Sequence, residues 1–302
     1  MTSLLPHLPD HPQLDQAQRL FHGRGQCYPG LEAVTVDWFP PVLLLTTFRA
    51  LPAETVAQYQ QQLTLWWQQQ GDATPVNMVW QNRGTSPAQT QLLQGEVPDP
   101  HWVHEGSLEY RIELMRGQNH GLFLDMAAGR RWVQAHASGK KVLNLFAYTC
   151  GFSVAARQGG AEEVVNLDMS GGALNVGKRN HARNGLEAGV RYLAHDLFKT
   201  FGKLKKLGPF DLIVVDPPSF QHGSFIATKD YPKVLRRLPE LLTEQGEALL
   251  CLNAPELSRA HLQQQISESA PQLSFVEQLP NPSSFPESEP DKGLKVFRYR
   301  LN

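Results

Sequence analysis

The chain has 302 residues, 41% hydrophobic and 19% charged, the balance of a folded globular protein long enough for one large or two ordinary domains. Its longest apolar runs, such as residues 41–45, are far too short to cross a bilayer, and its three widely spaced cysteines, Cys27, Cys150 and Cys251, argue against a disulfide scaffold or a C-x-x-C zinc site. The net charge of −1 hides an asymmetry: residues 1–139 hold no lysine and 8 Arg against 12 acids, whereas residues 140–302 hold 20 Lys and Arg against 17 acids. Phosphate neutralisation supplies most of the affinity for nucleic acid, so the acidic first part is not expected to be a simple RNA clamp. Residues 1–10 lack the basic start and apolar stretch of a secretion signal, and a reducing cytoplasm is the expected compartment.

Residues 31–38 and 42–48 read as short strands about the turn-forming Pro40-Pro41 pair. Residues 53–70, rich in Gln and free of Gly and Pro, read as a helix stopped by Gly71. Residues 75–81 and 108–114 read as further strands, and 126–137 as a helix leading into the second half. From Lys140 a regular alternation begins. Strands are expected at 142–146, 163–167, 190–194, 210–215 and 246–252, and helices at 152–158, 173–183 and 231–242. The helix over 173–183 closes at Asn184-Gly185, a common C-terminal stop. Such alternation predicts a parallel sheet with right-handed crossovers. Residues 273–279 and 294–301 are joined through Pro280, Pro282, Pro286 and Pro290 without a helix, which predicts an antiparallel pair at the end of the sheet.

Ligands of open α/β sheets bind beyond the C-terminal ends of the strands. Four of those ends carry distinctive residues. Asn144 and Phe146 to Gly151 follow the first, through Tyr148, Thr149 and Cys150. The second ends in Asp168-Met169, where a carboxylate can accept from two ribose hydroxyls. The third is followed by Asp196-Leu197-Phe198, an acceptor beside apolar groups that suits an adenine. The fourth ends in Asp216-Pro217-Pro218-Ser219-Phe220. A single acid at a strand end is more often a helix cap, and a Pro-Pro pair more often just ends a strand. The four together point to a nucleoside cofactor. The fingerprint G-x-G-x-x-G is missing, because only Gly151 stands before Gly159, so there is no cradle for a pyrophosphate. That disfavours NAD and leaves S-adenosylmethionine, which has no phosphate. A hairpin-closed parallel sheet is also how class I methyltransferases end.

These residues, with Leu143 to Phe152, Asp168-Met169-Ser170, Asn180, Asn184-Gly185, Asp196 and Asp216 to Phe220, resemble the large-subunit ribosomal RNA methyltransferases of the RlmI and RlmK type. The likeness extends upstream through Gly117 to Asp125 with Arg130, and through Pro29 to Asp37. It implies an α/β fold, a Rossmann-like class I methyltransferase sheet, mostly parallel with an antiparallel last strand, over residues 117–302. Residues 1–116 would form a smaller α+β domain. It implies S-adenosylmethionine bound by Phe123, Asp125, Asn144, Phe146, Tyr148, Thr149, Cys150, Gly151, Asp168, Met169, Asp196, Leu197 and Asp216, with catalysis at Asp216, Pro217, Pro218, Ser219 and Phe220. Ribosomal RNA is the implied partner, with Lys229, Lys233, Arg236 and Arg237 placed to hold it. No metal and no membrane are implied.

The sequence departs from the family at four places. Cys150 replaces the second glycine of the first loop, Asn119-His120 replaces Lys-Thr, and Met126-Ala127 replaces Gln-Arg. Asn253 stands where the cytosine-C5 enzymes carry the cysteine that attacks the base. Cys251, two residues earlier, is the remaining candidate nucleophile on that strand. The expected reaction is therefore transfer to a base nitrogen, either a ring nitrogen with a free lone pair or an exocyclic amine served by an acceptor such as Asp216. A protein or small-molecule acceptor is the alternative suggested by the acidic first half. A cofactor-binding factor without transfer activity is the alternative suggested by the altered upstream positions.

Overall fold

A computed structural model describes residues 2–71, 75–218, 220–221 and 225–302. The chain divides into two compact units, Met1–Leu124 with Pro282–Glu289, and Asp125–Asn281 with Pro290–Asn302.

The first unit is built on a five-stranded sheet. Strands β1 (Gln18–His22), β2 (Val34–Phe39) and β3 (Val42–Thr47) run antiparallel to one another. Helix α1 (Ala53–Gln69) returns the chain, so β4 (Asn77–Asn82) joins β3 in parallel, and β5 (Gln89–Gln94) closes the sheet antiparallel to β4. The helix lies on the sheet because Val56, Tyr59, Leu63, Trp66 and Trp67 recur at helical spacing and are all buried. Trp67 meets Trp38 of β2 at 4.9 Å between ring centroids. Strands β6 (His101–Glu105) and β7 (Leu108–Ile112) form a separate hairpin. Residues 282–289 complete this unit: Phe285 lies under the Arg19 guanidinium at 4.6 Å, and the Ser288 N–H donates to the Gly25 carbonyl at 2.8 Å. Gly25 makes that approach possible, since a Cβ there would lie 1.7 Å from the Pro286 carbonyl oxygen.

The second unit starts with α2 (Ala127–His136) and alternates through β8 (Lys141–Leu145), α3 (Gly151–Gln158), β9 (Glu163–Asp168), α4 (Gly171–Arg183), β10 (Val190–Ala194), α5 (Phe201–Leu207) and β11 (Phe210–Val215). A two-residue ladder follows, β12 (Phe220–Gln221) with β13 (Phe225–Ile226), then α6 (Ala227–Leu235), β14 (Leu242–Leu252), α7 (Arg259–Ser269), β15 (Leu273–Gln278) and β16 (Lys295–Leu301). The sheet order is β10-β9-β8-β11-β14-β16-β15. Strands β10, β9, β8, β11 and β14 are parallel neighbours, and β16 runs antiparallel to both β14 and β15. The chain order reverses between β8 and β11, so the tips of those strands flank the crevice where such sheets bind ligands.

Alternation along the strands makes two cores. Leu143, Leu145, Ile213, Val215, Leu250 and Leu252 face one side, with Tyr231 and Val234 of α6. Val142, Leu212, Val214, Leu249 and Cys251 face the other, with Val133 of α2 and Phe152 of α3. A buried polar chain crosses the β8/β9 region. Asn144 donates to Asn166 at 3.0 Å, Asn166 donates to Ser153 Oγ at 2.9 Å, and Ser153 meets His181 Nε2 at 2.9 Å. The His181 Nδ1 lies 2.8 Å from the Gly177 carbonyl, which can only accept, so Nδ1 carries the proton and Nε2 accepts from Ser153. Burial holds the imidazole pKa below its usual value, in keeping with a neutral ring.

The sequence expectations shift in places. The helix expected over 231–242 forms at Ala227–Leu235 instead, and Leu238–Glu240, with Pro239 at its second position, makes a separate 3-10 turn. Helices α5 and α7 and strands β1, β5, β6, β12 and β13 are not among the sequence expectations. Helix α7 buries only Leu262 and Ile266, and β5 is a Gln-rich edge strand, so neither shows strong periodicity.

Substituting Asn166 by Leu should strand the buried Asn144 amide and remove the bond that Ser153 Oγ accepts, while Ser153 keeps its bond to His181. Urea unfolding should report a loss of roughly 1–3 kcal/mol, the cost of one stranded buried donor; an unchanged midpoint would mean that the network contributes nothing to stability.

Candidate functional site

The tip of β8 turns through three non-glycine residues with left-handed backbones: Phe146 (φ 57°), Tyr148 (φ 47°) and Cys150 (φ 64°). L side chains disfavour this region, so the surroundings must hold the loop. The Tyr148 N–H donates to Asp168 Oδ2 at 2.8 Å, and the Ala147 N–H donates to the Leu167 carbonyl at 3.0 Å. From below, the buried Asn180 amide donates to the Thr149 carbonyl at 2.9 Å. Cys150 occupies the family's second glycine position, and its left-handed φ explains why glycine suits it. Its thiol is buried beside Leu174, and burial, with Asp168 adding to it, pushes its pKa well up. Gly177 on α4 leaves the thiol its space, because a Cβ there would lie 2.4 Å from Sγ.

Asp168 ends β9 half-buried. Its Oδ2 accepts from Tyr148 and its Oδ1 accepts the Ser170 N–H at 2.8 Å. Each carboxylate oxygen has a second lone pair, so two outward acceptors remain for two neighbouring hydroxyls. Met169 beside it is 56% exposed. Asp196 after β10 caps the following turn: Oδ1 accepts the Phe198 N–H at 2.9 Å, and Lys199 lies 3.7 Å from Oδ2. Leu197 belongs to the core, while Phe198 is partly buried against it. Phe123 is 42% exposed at the end of the first unit. Asn144, expected at the cofactor, is instead spent inside the sheet on Asn166, because strand phase turns it inward from the tip.

At the tip of β11 the chemistry changes. Burial first, then the Asp125 carboxylate, pushes the Asp216 carboxyl up to about 7, against the buried Arg130 guanidinium. The Asn253 amide, just beyond β14, donates to Asp125 Oδ2 at 3.3 Å. Cys251 is wholly buried in the α2/α3-side core, and burial with Asp216 and Asp125 pushes its thiol well up. A protonated, enclosed thiol is a poor nucleophile. Pro217 is buried and Pro218 half-buried. Ser219 lies outside the described residues, and Phe220 enters only through its backbone pairing with Ile226. Arg130 and Asn253, named in the sequence only as parts of the family pattern, are brought by the fold beside Asp216 and Asp125 respectively.

The basic residues do not share one helix as expected. Lys229 and Lys233 lie on α6, but Arg236 caps it and Arg237 begins the next turn. Lys233 pairs with Asp230 at 2.8 Å and Arg237 with Glu240 at 3.2 Å. Lys229, Lys233 and Arg236 remain exposed. Among the described residues, no His, Cys, Asp or Glu group is gathered for a metal ion, and no helix is long and apolar enough to cross a membrane.

A sheet of this order, with an acid at the tip of β9 and an Asp-Pro-Pro turn at the tip of β11, is that of an S-adenosylmethionine-dependent methyltransferase domain. The sequence profile of the S-adenosylmethionine-dependent methyltransferase family matches residues 18–300, and the chain belongs to that family. Ribosomal RNA large subunit methyltransferase I of Aeromonas salmonicida is 34% identical over 187 residues, 60% of this chain and 47% of the relative. Its namesake in Shewanella denitrificans is 32% identical over 228 residues, 70% of this chain and 57% of the relative. The chain thus spans about half the length of the curated relatives it matches. The crystal structure of SMU.776, described as a methyltransferase and complexed with SAH, superposes with a TM-score of 0.84 at 26% identity, covering 96% of this chain and 77% of that one. The Methanocaldococcus-type likeness is to fold alone: an M. jannaschii tRNA m1G37 methyltransferase matches at 13% identity with a TM-score of 0.63.

Asp168→Asn should replace one acceptor oxygen by an amide that faces an N–H. Stability should fall by roughly 1.5–3 kcal/mol, the worth of a hydrogen bond to a charged group. Affinity for S-adenosylhomocysteine should fall with it in calorimetry, whereas unchanged affinity would remove Asp168 from the cofactor site.

Proposed function

We propose that the chain methylates a base nitrogen of large-subunit ribosomal RNA, at an N–H-bearing position. S-adenosylmethionine, when bound, supplies an electrophilic methyl group on a sulfonium. The residues present fit that cofactor: Asp168 offers acceptors for ribose hydroxyls, Phe198 and Met169 offer apolar surface, and there is no glycine-rich phosphate cradle. The names of the curated relatives support RNA as the acceptor molecule.

The observation that carries the nitrogen reading is the pair of Asn253 and Asp216. Carbon-5 transfer to cytosine needs a thiolate at the base, and Asn253 stands at that place while Cys251 is enclosed. Asp216 supplies an acceptor whose pKa near neutrality suits it to take a proton from a nitrogen as that nitrogen becomes methylated. Pro217 and Pro218 have no N–H of their own, so the turn presents acceptors rather than donors. The exposed Lys229, Lys233 and Arg236 on the following segment supply cations for phosphates.

Two outcomes follow for RNA methylation followed with a labelled methyl group and resolved by nucleoside. The rate should rise as pH rises through about 7, where Asp216 loses its proton, and Asp216→Asn should abolish that step and lower the rate by about 100-fold. A flat profile between pH 6 and 8 would oppose the role of Asp216. Separately, Cys251→Ser and Cys150→Ser should both retain transfer; loss of a trapped protein–RNA adduct on Cys251→Ser would instead establish covalent chemistry at carbon.

A further inference from the structure

Two side-chain acceptors stand at neighbouring strand tips of the second unit. Parallel register sets Val215 of β11 opposite Leu250 of β14, so Asp216-Pro217-Pro218 and Cys251-Leu252-Asn253 run on side by side at one end of the sheet. Asp216 is half-buried and Asn253 exposed. Both lie close to Asp125: its charge acts on the Asp216 carboxyl, and its Oδ2 accepts from Asn253 Nδ2 at 3.3 Å. Among the described residues, neither the Asp216 carboxyl nor the Asn253 Oδ1 has a hydrogen-bond partner.

The direction of the Asn253 amide follows from its partner. A carboxylate only accepts, so the NH2 group turns toward Asp125 and Oδ1 turns away. The backbone on both sides of Asn253 is pinned from inside the unit. The hydroxyl of the buried Tyr231 donates to the Cys251 carbonyl at 3.0 Å. Lys295, on β16 opposite Leu252, is fully buried, and its ammonium donates to the Ala254 carbonyl at 3.0 Å. An exposed side chain on so fixed a backbone loses little freedom when it binds, which suits it to contact a ligand.

We propose that Asn253 selects the target base: its Oδ1 and the Asp216 carboxylate accept from two adjacent N–H donors, the edge that guanine presents through N1 and N2. This deepens the reading of RNA methylation at nitrogen given above and rests on it. An unstacked base is read on its Watson–Crick edge. On that edge guanine alone sets two donors side by side; adenine and cytosine put a ring acceptor beside their amine, and uracil has one N–H between two carbonyls. Either arrangement would turn an acceptor toward an acceptor and leave polar groups unpaired. In the transfer, the guanine nitrogen facing Asp216 bonds to the methyl carbon. The carbon–sulfur bond breaks with its electron pair left on sulfur, and the N–H proton passes to Asp216. Asn253 holds the other N–H.

The test uses the full chain, protein-free 23S ribosomal RNA and a labelled methyl donor, with the methylated nucleoside identified by mass spectrometry. The label is expected in guanosine methylated at N1 or N2. Label at guanosine N7, or in cytidine, adenosine or uridine, overturns the base assignment while RNA stands as the substrate. Asn253→Leu keeps the side-chain size, removes the acceptor and should lower kcat/KM for RNA roughly 10- to 100-fold, with affinity for S-adenosylhomocysteine retained. Asn253→Ser, a smaller change, should lower it in the same way. If both variants methylate at the wild-type rate, Asn253 does not read the base. If the wild type binds S-adenosylhomocysteine but methylates no RNA, the substrate reading fails, and this inference with it.

Discussion

The second unit depends on one carboxylate. Asp168 accepts the Tyr148 N–H on one oxygen and the Ser170 N–H on the other, and so ties the tip of β8 to the tip of β9. Three left-handed, non-glycine residues within five positions cost on the order of 1–3 kcal/mol each. Charge-assisted bonds to Asp168, the Asn180 bond to Thr149, and burial of Cys150 against Leu174 hold the loop despite that cost. The same side chain that fixes the loop keeps further lone pairs, which the proposed function gives to a ribose.

The two acids across the chain reversal have opposite surroundings. Asp168 is supplied with N–H donors, whereas Asp216 is half-buried beside a second carboxylate, Asp125. Donors favour the charged form, and burial with a like charge disfavours it. One tip of the crevice therefore offers fixed acceptors for binding, and the other offers a group that changes charge near neutral pH. Asn253 takes part by donating to Asp125. That separation of roles is what the proposed function uses, with the cofactor at β8 and β9 and the acceptor at β11.

Much of this was legible in the sequence because the relevant residues follow short apolar strands that alternate with helices. Residues 190–194 and 210–215 were read with their observed bounds, and Asp168, Asp196 and Asp216 each stand just past such a run. The limits have physical causes. Asn144 stands within β8, where its amide bonds Asn166, and only strand register reveals that contact. The helix carrying Lys229 and Lys233 tolerates Pro232, so its start was misplaced. Asp125, Asp216 and Asn253 lie far apart in sequence, and no local pattern announces that the fold brings them together.

The most direct test of the account is calorimetry of the wild-type chain with S-adenosylmethionine, S-adenosylhomocysteine and NAD in turn. The strand tips described here should bind the first two at one site per chain, each displacing the other, and should leave NAD unbound. Tight NAD binding with no binding of either sulfur nucleoside would contradict the assignment of these tips to a methyl-donor cofactor.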